Sequence, residues 1–598
     1  MPRKKTVPSL LQASISSVAP LVRDEALRVA HVAVTQFVFD EIEAEAASEE
    51  AYEEMKSKAA WEREIYLSDQ VQLFKDFVLG FVPPSLLSQV LDSVLNGVKK
   101  AIRAKKQEWT PTTNLTRFTR QMYAIVKFSN VCVLPTRTVL DLETMPKIIR
   151  TKMFGSLKYF TGLKELRLGS GSGGWVTEAY SEHFLIGIPH MKNLVVFSLK
   201  YDCTGSILQV LSETCSKTLK VLDIERSRQV KDDAAQYILA CKHLQDINVF
   251  QTDLSVKSLA KILVGLKELQ HLQRGDFLCE VVEYFEDNPN TPFDLKLNVQ
   301  DFWASEDYYF HSEEQMQLVA KYCPNIRKML YMYQITCGNL SVLADFNHLE
   351  DLDLWGGAFY EDGLCDLLEL IGHRMKRLSL VHVEEVDERA IALVTVFCPN
   401  LVKLGFHNCE FKEERRLGQD EAFAAADRAR MAEERRAVRD MATPLLDLVK
   451  ISIVSCCSAD YVAFILEQCL NAREVFIGMT TGLTDECLLR VLATNGLQHL
   501  ESLTVQRCKG VTMKSVELLL GQCDKLRVLR DLSYFDSVHE MEIKMLRARL
   551  KEENFDVDTG EGGNGAENEG DDMEDFMRKA LKDKYPPLDN SIDWESGW

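Results

Sequence analysis

The sequence lacks the features that mark membrane, secreted and nucleic-acid-binding proteins. None of its 598 residues belongs to an apolar run of 18 or more, about the minimum for a membrane-spanning helix. Its 16 cysteines are spread along a long chain, which predicts reduced thiols and a cytosolic or nuclear location. Asp and Glu number 90 against 70 Lys and Arg, and the formal charge of −20 argues against binding to nucleic acids or anionic membranes.

Motifs for catalysis and cofactor binding are also missing. The sequence contains no phosphate-binding loop, no H-E-x-x-H motif, no C-x-x-C pair and no G-x-S-x-G elbow. Residues 169–174 read GSGSGG, but no second half of a nucleotide-binding fold follows them. Cys456 and Cys457 are too close together for a pair of metal ligands. We therefore expect no catalytic residues, no cofactor and no metal.

A short apolar pattern, L-x-x-L-x-L, returns along most of the chain. Its copies begin at Leu163, Leu194, Leu219, Leu244, Leu269, Ile326, Leu349, Met375, Leu401, Leu448, Ala472, Leu500 and Leu526. Alternating apolar residues predict a half-buried strand, and the segment after each copy has helical spacing. Each unit of strand, loop and helix buries its apolar face only against its neighbours. We predict an α/β solenoid with parallel strands on the concave face and helices on the convex face.

A second regularity is a cysteine three residues before the next strand pattern. It occurs at Cys241, Cys323, Cys398, Cys469 and Cys523. A small apolar thiol fits where a helix turns tightly into a strand. Together with the segments LTDECLLRVL and VDERAIALVTVFCPNL, this spacing resembles the cysteine-containing leucine-rich repeat subfamily. The resemblance covers about residues 155–535 and implies a leucine-rich repeat fold.

The remaining regions surround or interrupt the repeats. Residues 1–150 show helical patterns and predict an adaptor-like domain, whereas residues 411–444 are a charged, alanine-rich insertion. The tail, residues 551–598, begins with a stretch to residue 575 that has 11 acidic residues and one Lys. We expect this tail to be largely disordered, because it buries too little apolar surface to offset the entropy of ordering. We expect the apolar segment after it to dock on the same chain, with recruitment of a partner as the alternative.

An N-terminal pattern places Leu10, Ser14 and Val18 on one stripe of a helix that begins near a serine cap. It resembles the elongin-binding box of von Hippel-Lindau-type substrate receptors, with Ser14 where that family has Cys. The resemblance implies that these three residues contact elongin C.

A second pattern follows in FVPPSLLSQVLDSVL, where Pro83, Leu86 and Val90 resemble the cullin-contacting box of the same receptors. Proline suits the first turn of a helix because its missing amide would be unpaired there. Both boxes precede a repeat region, which implies a non-catalytic substrate-recognition subunit of a cullin-RING ubiquitin ligase. Two alternatives stay open: a repeat scaffold without a ligase role, and an F-box-type receptor that binds a Skp-type adaptor.

The concave face of the predicted solenoid is the candidate substrate-binding surface. Side chains that flank the apolar positions of each strand should lie there, because strand side chains alternate between two faces. The candidate residues are Phe250, Leu330, Met332, Asp351, Asp353, Trp355, Arg377 and Phe476. Leu330, Met332 and Trp355 should form an apolar patch with charged neighbours, the usual composition of a recognition site. The alternative is that Trp355 covers an irregular loop.

Overall fold

The computed structural model describes most of the chain. The described residues are 10–35, 49–108, 110, 115–169, 181–273, 277–303, 311–334, 337–412, 430, 433–478, 482–506, 508, 510–530, 532 and 538–560. They divide into two compact units, residues 10–269 and residues 270–560.

The first unit begins with helices and continues into a parallel sheet. Its helices are α1 (Leu10–Thr35), α2 (Glu49–Phe81), α3 (Leu87–Gln107), α4 (Leu115–Lys127), α5 (Lys147–Phe154), α6 (Ser181–Gly187), α7 (Gly205–Cys215), α8 (Ala235–Ala240) and α9 (Val256–Gly265). Its paired strands are β1 (Val139–Asp141), β2 (Glu165–Arg167), β3 (Val196–Ser198), β4 (Val221–Asp223) and β5 (Asp246–Asn248). Each strand pairs in parallel with the next one. The sheet thus begins at Val139, before the first copy of the sequence repeat.

Helices α1 and α3 pack closely against each other. The buried side of α1 consists of Ala19, Val22, Ala26, Val29 and Ala33. Gly97 on α3 permits the close approach, because a Cβ atom there would lie 2.6 Å from the Val22 Cβ and 2.7 Å from the Ala19 carbonyl oxygen. Small residues on both helices therefore form the centre of this helical region.

No single helix among the described residues is long and apolar enough to cross a membrane. The segments Ser57–Phe81 and Pro84–Gln107 meet that test only when they are taken together, and a bend of 116° separates them. In the second segment, Val90, Val94 and Val98 are buried within the protein.

The second unit is a longer run of strands and helices. Its strands are β6 (His271–Leu272), β7 (Asp301–Trp303), β8 (Lys328–Met332), β9 (Asp351–Trp355), β10 (Arg377–Val381), β11 (Lys403–His407), β12 (Lys450–Val454), β13 (Glu474–Gly478), β14 (Ser502–Gln506) and β15 (Val528–Arg530). Its helices are α10 (Leu278–Asp287), α11 (Glu313–Tyr322), α12 (Leu364–Ile371), α13 (Glu388–Phe397), α14 (Ala459–Glu467), α15 (Asp485–Thr494), α16 (Met513–Gln522) and α17 (Glu540–Glu552). Strands β7 to β15 form one sheet, parallel and in chain order. The predicted α/β leucine-rich repeat fold is confirmed.

Polar residues at the ends of the strand–helix loops explain where the helices begin. The Thr484 hydroxyl accepts a hydrogen bond from the Cys487 amide, and the Asp387 carboxylate accepts one from the Ala390 amide at 2.7 Å. Such caps satisfy amides that have no partner inside the first helical turn. Thr484 in LTDECLLRVL and Asp387 in VDERAIALVTVFCPNL are therefore helix caps.

The cysteines before the strands occupy the buried positions that the sequence predicts. Cys241, Cys323, Cys398, Cys469 and Cys523 are all buried. The turn at Cys398 is tight, since a Cβ atom on Gly372 of the preceding repeat would lie 2.8 Å from the Cys398 Sγ. Burial raises the pKa of the Cys398 thiol to about 12, so the thiol stays protonated and behaves as an apolar group.

The chain extends the second sheet beyond the last repeat. The Asp558 amide donates to the Arg527 carbonyl at 2.7 Å, and the Leu529 amide donates to the Asp558 carbonyl at 2.8 Å. Arg530 and Asp558 also form an ion pair of 3.0 Å. Residues 551–560, which the sequence places in a disordered tail, thus complete α17 and pair with β15, because buried Val557 gives this segment an apolar anchor. Residues 561–598 lie outside the described residues.

The end of the insertion is anchored to the helices beside it. Residues 433–441 are helical, and Arg439 pairs with buried Glu388 at 2.8 Å. The Thr443 hydroxyl donates to the Thr395 carbonyl at 2.8 Å. Residues 413–429 and 431–432 of the insertion lie outside the described residues.

Candidate protein-interaction surfaces

The strands of the second sheet present three rows of side chains on one face, which we call the strand face. In each five-residue strand the second and fourth residues point into the core, as Leu352 and Leu354 do in β9. The first, third and fifth residues point to the strand face, because strand side chains alternate. Parallel register places equivalent residues of successive strands side by side.

The first residues of the strands form the charged row. Its members in strand order are Asp301, Lys328, Asp351, Arg377, Lys403, Lys450 and Glu474, followed by the uncharged Ser502 and Val528. Arg377 lies 3.6 Å from Asp351 and 3.2 Å from Asp353, and Lys450 lies 3.7 Å from Glu474. Burial raises the pKa of the Asp351 carboxyl above its ordinary value, and the Arg377 charge opposes this effect without cancelling it.

The third residues of the strands form the middle row, which is small at its centre. Its members are Trp303, Leu330, Asp353, Ser379, Gly405, Ser452, Phe476, Thr504 and Arg530. The His407 ring lies over Gly405, because a Cβ atom on Gly405 would be 2.7 Å from the His407 Nε2. The Ser379 hydroxyl is buried and has no hydrogen-bond partner among the described residues.

The fifth residues of the strands form the outer row, which is mostly apolar and aromatic. Its members are Met332, Trp355, Val381, His407, Val454, Gly478 and Gln506. Met332 and Trp355 are neighbours in register and both are half-buried. The exposed His382 ring lies beside Trp355, with ring centroids 6.2 Å apart. Trp355 thus lies on the strand face with part of its surface accessible.

The candidate residues of the strand face differ in how much surface they offer. Met332, Asp351, Trp355, Arg377 and Phe476 are half-buried. Asp353 is buried beside Arg377. Leu330 and Phe250 are only 4% and 5% exposed, respectively, which corrects the expectation that they are accessible contact residues. Neighbouring side chains cover them, so the apolar patch is reduced to Met332 and Trp355.

The first sheet carries an enclosed charge network on the equivalent face. The Lys200 ammonium lies 3.3 Å from Asp223 and 3.8 Å from both Glu143 and Glu225. The Ser198 hydroxyl donates to Glu143 at 2.8 Å. Burial alone would lower the pKa of Lys200, but the three carboxylates outweigh it and the pKa is raised. Burial raises the pKa of Asp223, and Lys200 opposes this shift.

The two N-terminal box-like segments belong to helices that contact each other. Leu10 and Ser14 lie in α1, but their side chains are outside the described residues, whereas Val18 is half-buried. The next residues on α1 pack against α3, which contains Val90 of the second box and begins directly after Leu86. The close approach is between Ala19 and Val22 of α1 and Gly97 of α3, beyond both boxes.

The second box begins at an exposed turn and ends in the core. Pro83 is exposed and precedes the 3₁₀ turn Pro84–Leu86, and Leu86 is half-buried. Val90 is buried within the helical region, so it does not offer the accessible contact that the box resemblance implies. Packing between helices takes up this position.

An exposed apolar stripe on α2 is a feature that the sequence analysis missed. Leu73, Phe77 and Phe81 are 63%, 53% and 77% exposed, and the rings of Phe77 and Phe81 lie 5.0 Å apart. Their spacing of four residues places them on one side of the helix, directly before Pro83. This i, i+4, i+8 spacing was the available signal. Contiguous exposed apolar side chains of this kind mark protein-binding surfaces.

No group of three or more potential metal ligands occurs within the part of the chain that the structure describes. The described cavities include one of about 340 Å³ whose lining contains Glu283, His311 and Ser312. Burial lowers the pKa of His311, which favours its neutral form.

Comparisons with known proteins give only distant similarities. No protein-family profile and no curated protein match the sequence. A solved structure of the yeast Rad7 and Elc1 complex is 13% identical with a TM-score of 0.37, covering 66% of this chain and 90% of that chain. An internalin from Listeria monocytogenes is 11% identical with a TM-score of 0.29, covering 72% and 96%, respectively. A leucine-rich repeat protein of Leptospira interrogans is 11% identical with a TM-score of 0.31, covering 71% and 96%. The leucine-rich repeat fold itself follows from the strand pairing described above.

Proposed function

We propose that this chain is a non-catalytic protein-binding protein, a substrate receptor that joins a cullin-RING ubiquitin ligase through its N-terminal helices. The observation that carries the proposal is the direct packing of α1 on α3. The contact joins Ala19 and Val22, which follow the first box-like segment, to Gly97, which follows the second. The expected partners are elongin C at Leu10, Ser14 and Val18, and a cullin near Pro83.

The exposed stripe of Leu73, Phe77 and Phe81 supports this role, because it lies directly before the box-like segment at Pro83. A helix that exposes three large apolar side chains is stabilised when a partner covers them. We expect the protein to be ubiquitinated to bind the strand face.

The burial of Val90 favours a second candidate function, a repeat scaffold without a ligase role. If Val90 serves only the helical core, then an amphipathic helix explains the second pattern without any partner.

Co-expression of the full chain with the elongin B–elongin C pair tests the proposal. Leu10→Ser should abolish co-purification, because a hydroxyl entering an apolar pocket costs about 2–4 kcal/mol. Leu21→Ser is the matched control, since Leu21 lies on the same helix and is 55% exposed. We expect it to retain binding.

The outcomes separate the candidate functions. Normal retention of elongin C by Leu10→Ser would contradict the box assignment. Recovery of a Skp-type adaptor in place of elongin C would indicate the F-box-type receptor. Absence of any such adaptor, with the protein folded, would leave the scaffold.

A further inference from the structure

The centre of the strand face carries small side chains, and we call this part of it the trough. Its floor is Ser379, Gly405 and Ser452, with the charged row on one side and the outer row on the other. Ser379 is only 4% exposed, and its hydroxyl has no partner in the described structure. This oxygen is enclosed by its own chain, so the trough offers a partner only small side chains and no hydrogen bond from Ser379.

The charged row beside the trough contains one cation, Lys403, whose neighbours in the row are also cations. Exposed Lys403 lies between Arg377 and Lys450, so three cations occupy consecutive strands. Arg377 is paired with Asp351 and Asp353, and Lys450 lies near Glu474. Within the described ranges, no carboxylate lies within ion-pair distance of Lys403. Like charges on adjacent strands are destabilising, and an acidic group placed over Lys403 would relieve this repulsion.

The described chain ends at the edge of the same sheet. Asp558 pairs with Val528 of β15, and the ion pair with Arg530 holds it there. Five strand spacings separate Asp558 from Gly405, a distance of about 24 Å. Roughly eight extended residues cover that distance at about 3.3 Å each. Any residue from about position 566 onward can therefore reach the trough.

The residues beyond this edge are acidic and then apolar, so they complement the cations and the outer row beside the trough. Residues 561–575 contain seven acidic residues and no Lys or Arg. Large apolar residues follow, among them Phe576, Trp594 and Trp598, and they match the outer row at Trp355 and the adjacent His382 ring. A tether of this length holds such a segment at an effective concentration of about 1 mM.

We propose that residues 561–598 bind across the strand face of their own chain, with acidic residues of 567–575 over Lys403 and Lys450. The segment then occupies the surface that a partner protein would use, so it is an intramolecular competitor for that partner. This inference does not depend on the ligase connection, because it involves only the second unit and the segment that leaves it.

Lysine footprinting of the full chain tests this contact. Brief acetylation followed by mass spectrometry measures how fast each ammonium reacts. The wild type is compared with a full-length variant that carries Glu→Gln and Asp→Asn changes at all seven acidic positions of 561–575. We expect Lys403 to react about three- to tenfold faster in this variant, as for the loss of a tethered ion pair. Lys514, exposed on helix α16, is the internal control and should keep its rate.

Carbodiimide crosslinking joins an ammonium directly to a touching carboxylate and supplies the second measurement. In the wild-type monomer we expect crosslinks from Lys403 or Lys450 to residues 567–575. A charge swap, Lys403→Glu with Asp571→Lys and Asp572→Lys, should give the reversed crosslink, in which position 403 supplies the carboxylate and position 571 or 572 supplies the ammonium.

Three other results would contradict the proposal. Equal acetylation rates of Lys403 in the wild type and in the neutralised variant, without crosslinks to 567–575, would overturn the proposal. Crosslinks that appear only between two chains and rise with protein concentration would show binding to a second copy instead. Crosslinks from 567–575 to lysines away from the strand face would place the segment elsewhere and reject this site.

Discussion

The two sheets of this protein each carry a lysine on the equivalent face, and the surroundings of these two lysines are opposite. In the first sheet, Lys200 is enclosed by Glu143, Asp223 and Glu225. In the second sheet, Lys403 is exposed and its neighbours in register are both cations. The first arrangement pairs its lysine with carboxylates of the same chain, whereas the second leaves its lysine exposed to solvent.

This difference indicates how a repeat fold separates stability from recognition. Burial of Asp223 and Ser198 makes the first network part of the folded core. The charge of Lys403 contributes little to folding, because an exposed cation remains hydrated. The proposed binding surface therefore lies on the sheet whose lysine contributes little to folding, and the first sheet contributes stability.

Removal of Lys200 should give the largest effect on stability. In Lys200→Met, the buried carboxylate of Asp223 loses its cation, which should lower the free energy of unfolding of the first unit by about 3 kcal/mol. Urea unfolding at neutral pH, followed by far-UV circular dichroism, measures this change. A loss below about 0.5 kcal/mol would mean that solvent screens the network.

Acid should reduce the Lys200→Met deficit. Burial raises the pKa of Asp223 in the folded state, so this carboxyl becomes neutral in the folded protein at a higher pH than in the unfolded chain. Its contribution to stability therefore improves as pH falls through the folded-state pKa. The gap between variant and wild type should narrow in that range, and a constant gap would assign the loss to packing.

Trp355→Ala should have an intermediate effect, and on binding rather than on folding. We expect it to weaken a protein partner of the strand face by about 2 kcal/mol, roughly 30-fold, with thermal unfolding nearly unchanged. Titration calorimetry with the purified partner and differential scanning calorimetry measure the two quantities. Trp61→Ala is the control, because Trp61 is an exposed Trp on α2. A large fall in melting temperature without a binding defect would make Trp355 a core residue.

Lys403→Met should have the smallest effect on stability. It is the same chemical change as Lys200→Met, but it removes a cation placed between two other cations. We expect a change below about 0.5 kcal/mol, of either sign, in the same urea experiment. A loss comparable to that of Lys200→Met would abolish the distinction between the two sheets.

The regular part of the fold was predictable because each repeat has the same pattern of apolar residues, buried for the same physical reasons. The apolar pair in LEDLDL predicted the buried positions Leu352 and Leu354, and the C-P-N cysteine predicted the tight turn at Cys398. Strand β1 has no complete copy of the pattern, so pairing with β2 was needed to reveal it. The pairing of Asp558 was hidden for a similar reason, since a single bridging residue leaves no periodic signal.

The candidate surface was predictable in position but not in exposure. Alternation correctly placed Leu330 and Trp355 on the strand face, because it depends only on backbone geometry. How much of each side chain stays accessible depends on neighbours from other strands, and this is why Leu330 is buried whereas Trp355 is not. The trough at Gly405 likewise depends on the His407 ring, whose orientation no spacing rule provides.

The distribution of thiols makes the second sheet suitable for optical measurements. Of the 16 cysteines, Cys456 is exposed and Cys365 is intermediate, whereas the others are buried. Burial raises the pKa of the adjacent Cys457 thiol to about 12, which suppresses its reactive thiolate at neutral pH. A maleimide dye should therefore attach preferentially at Cys456, two residues after β12, without any engineered cysteine. Its emission would report what lies near the end of that strand in the otherwise native chain.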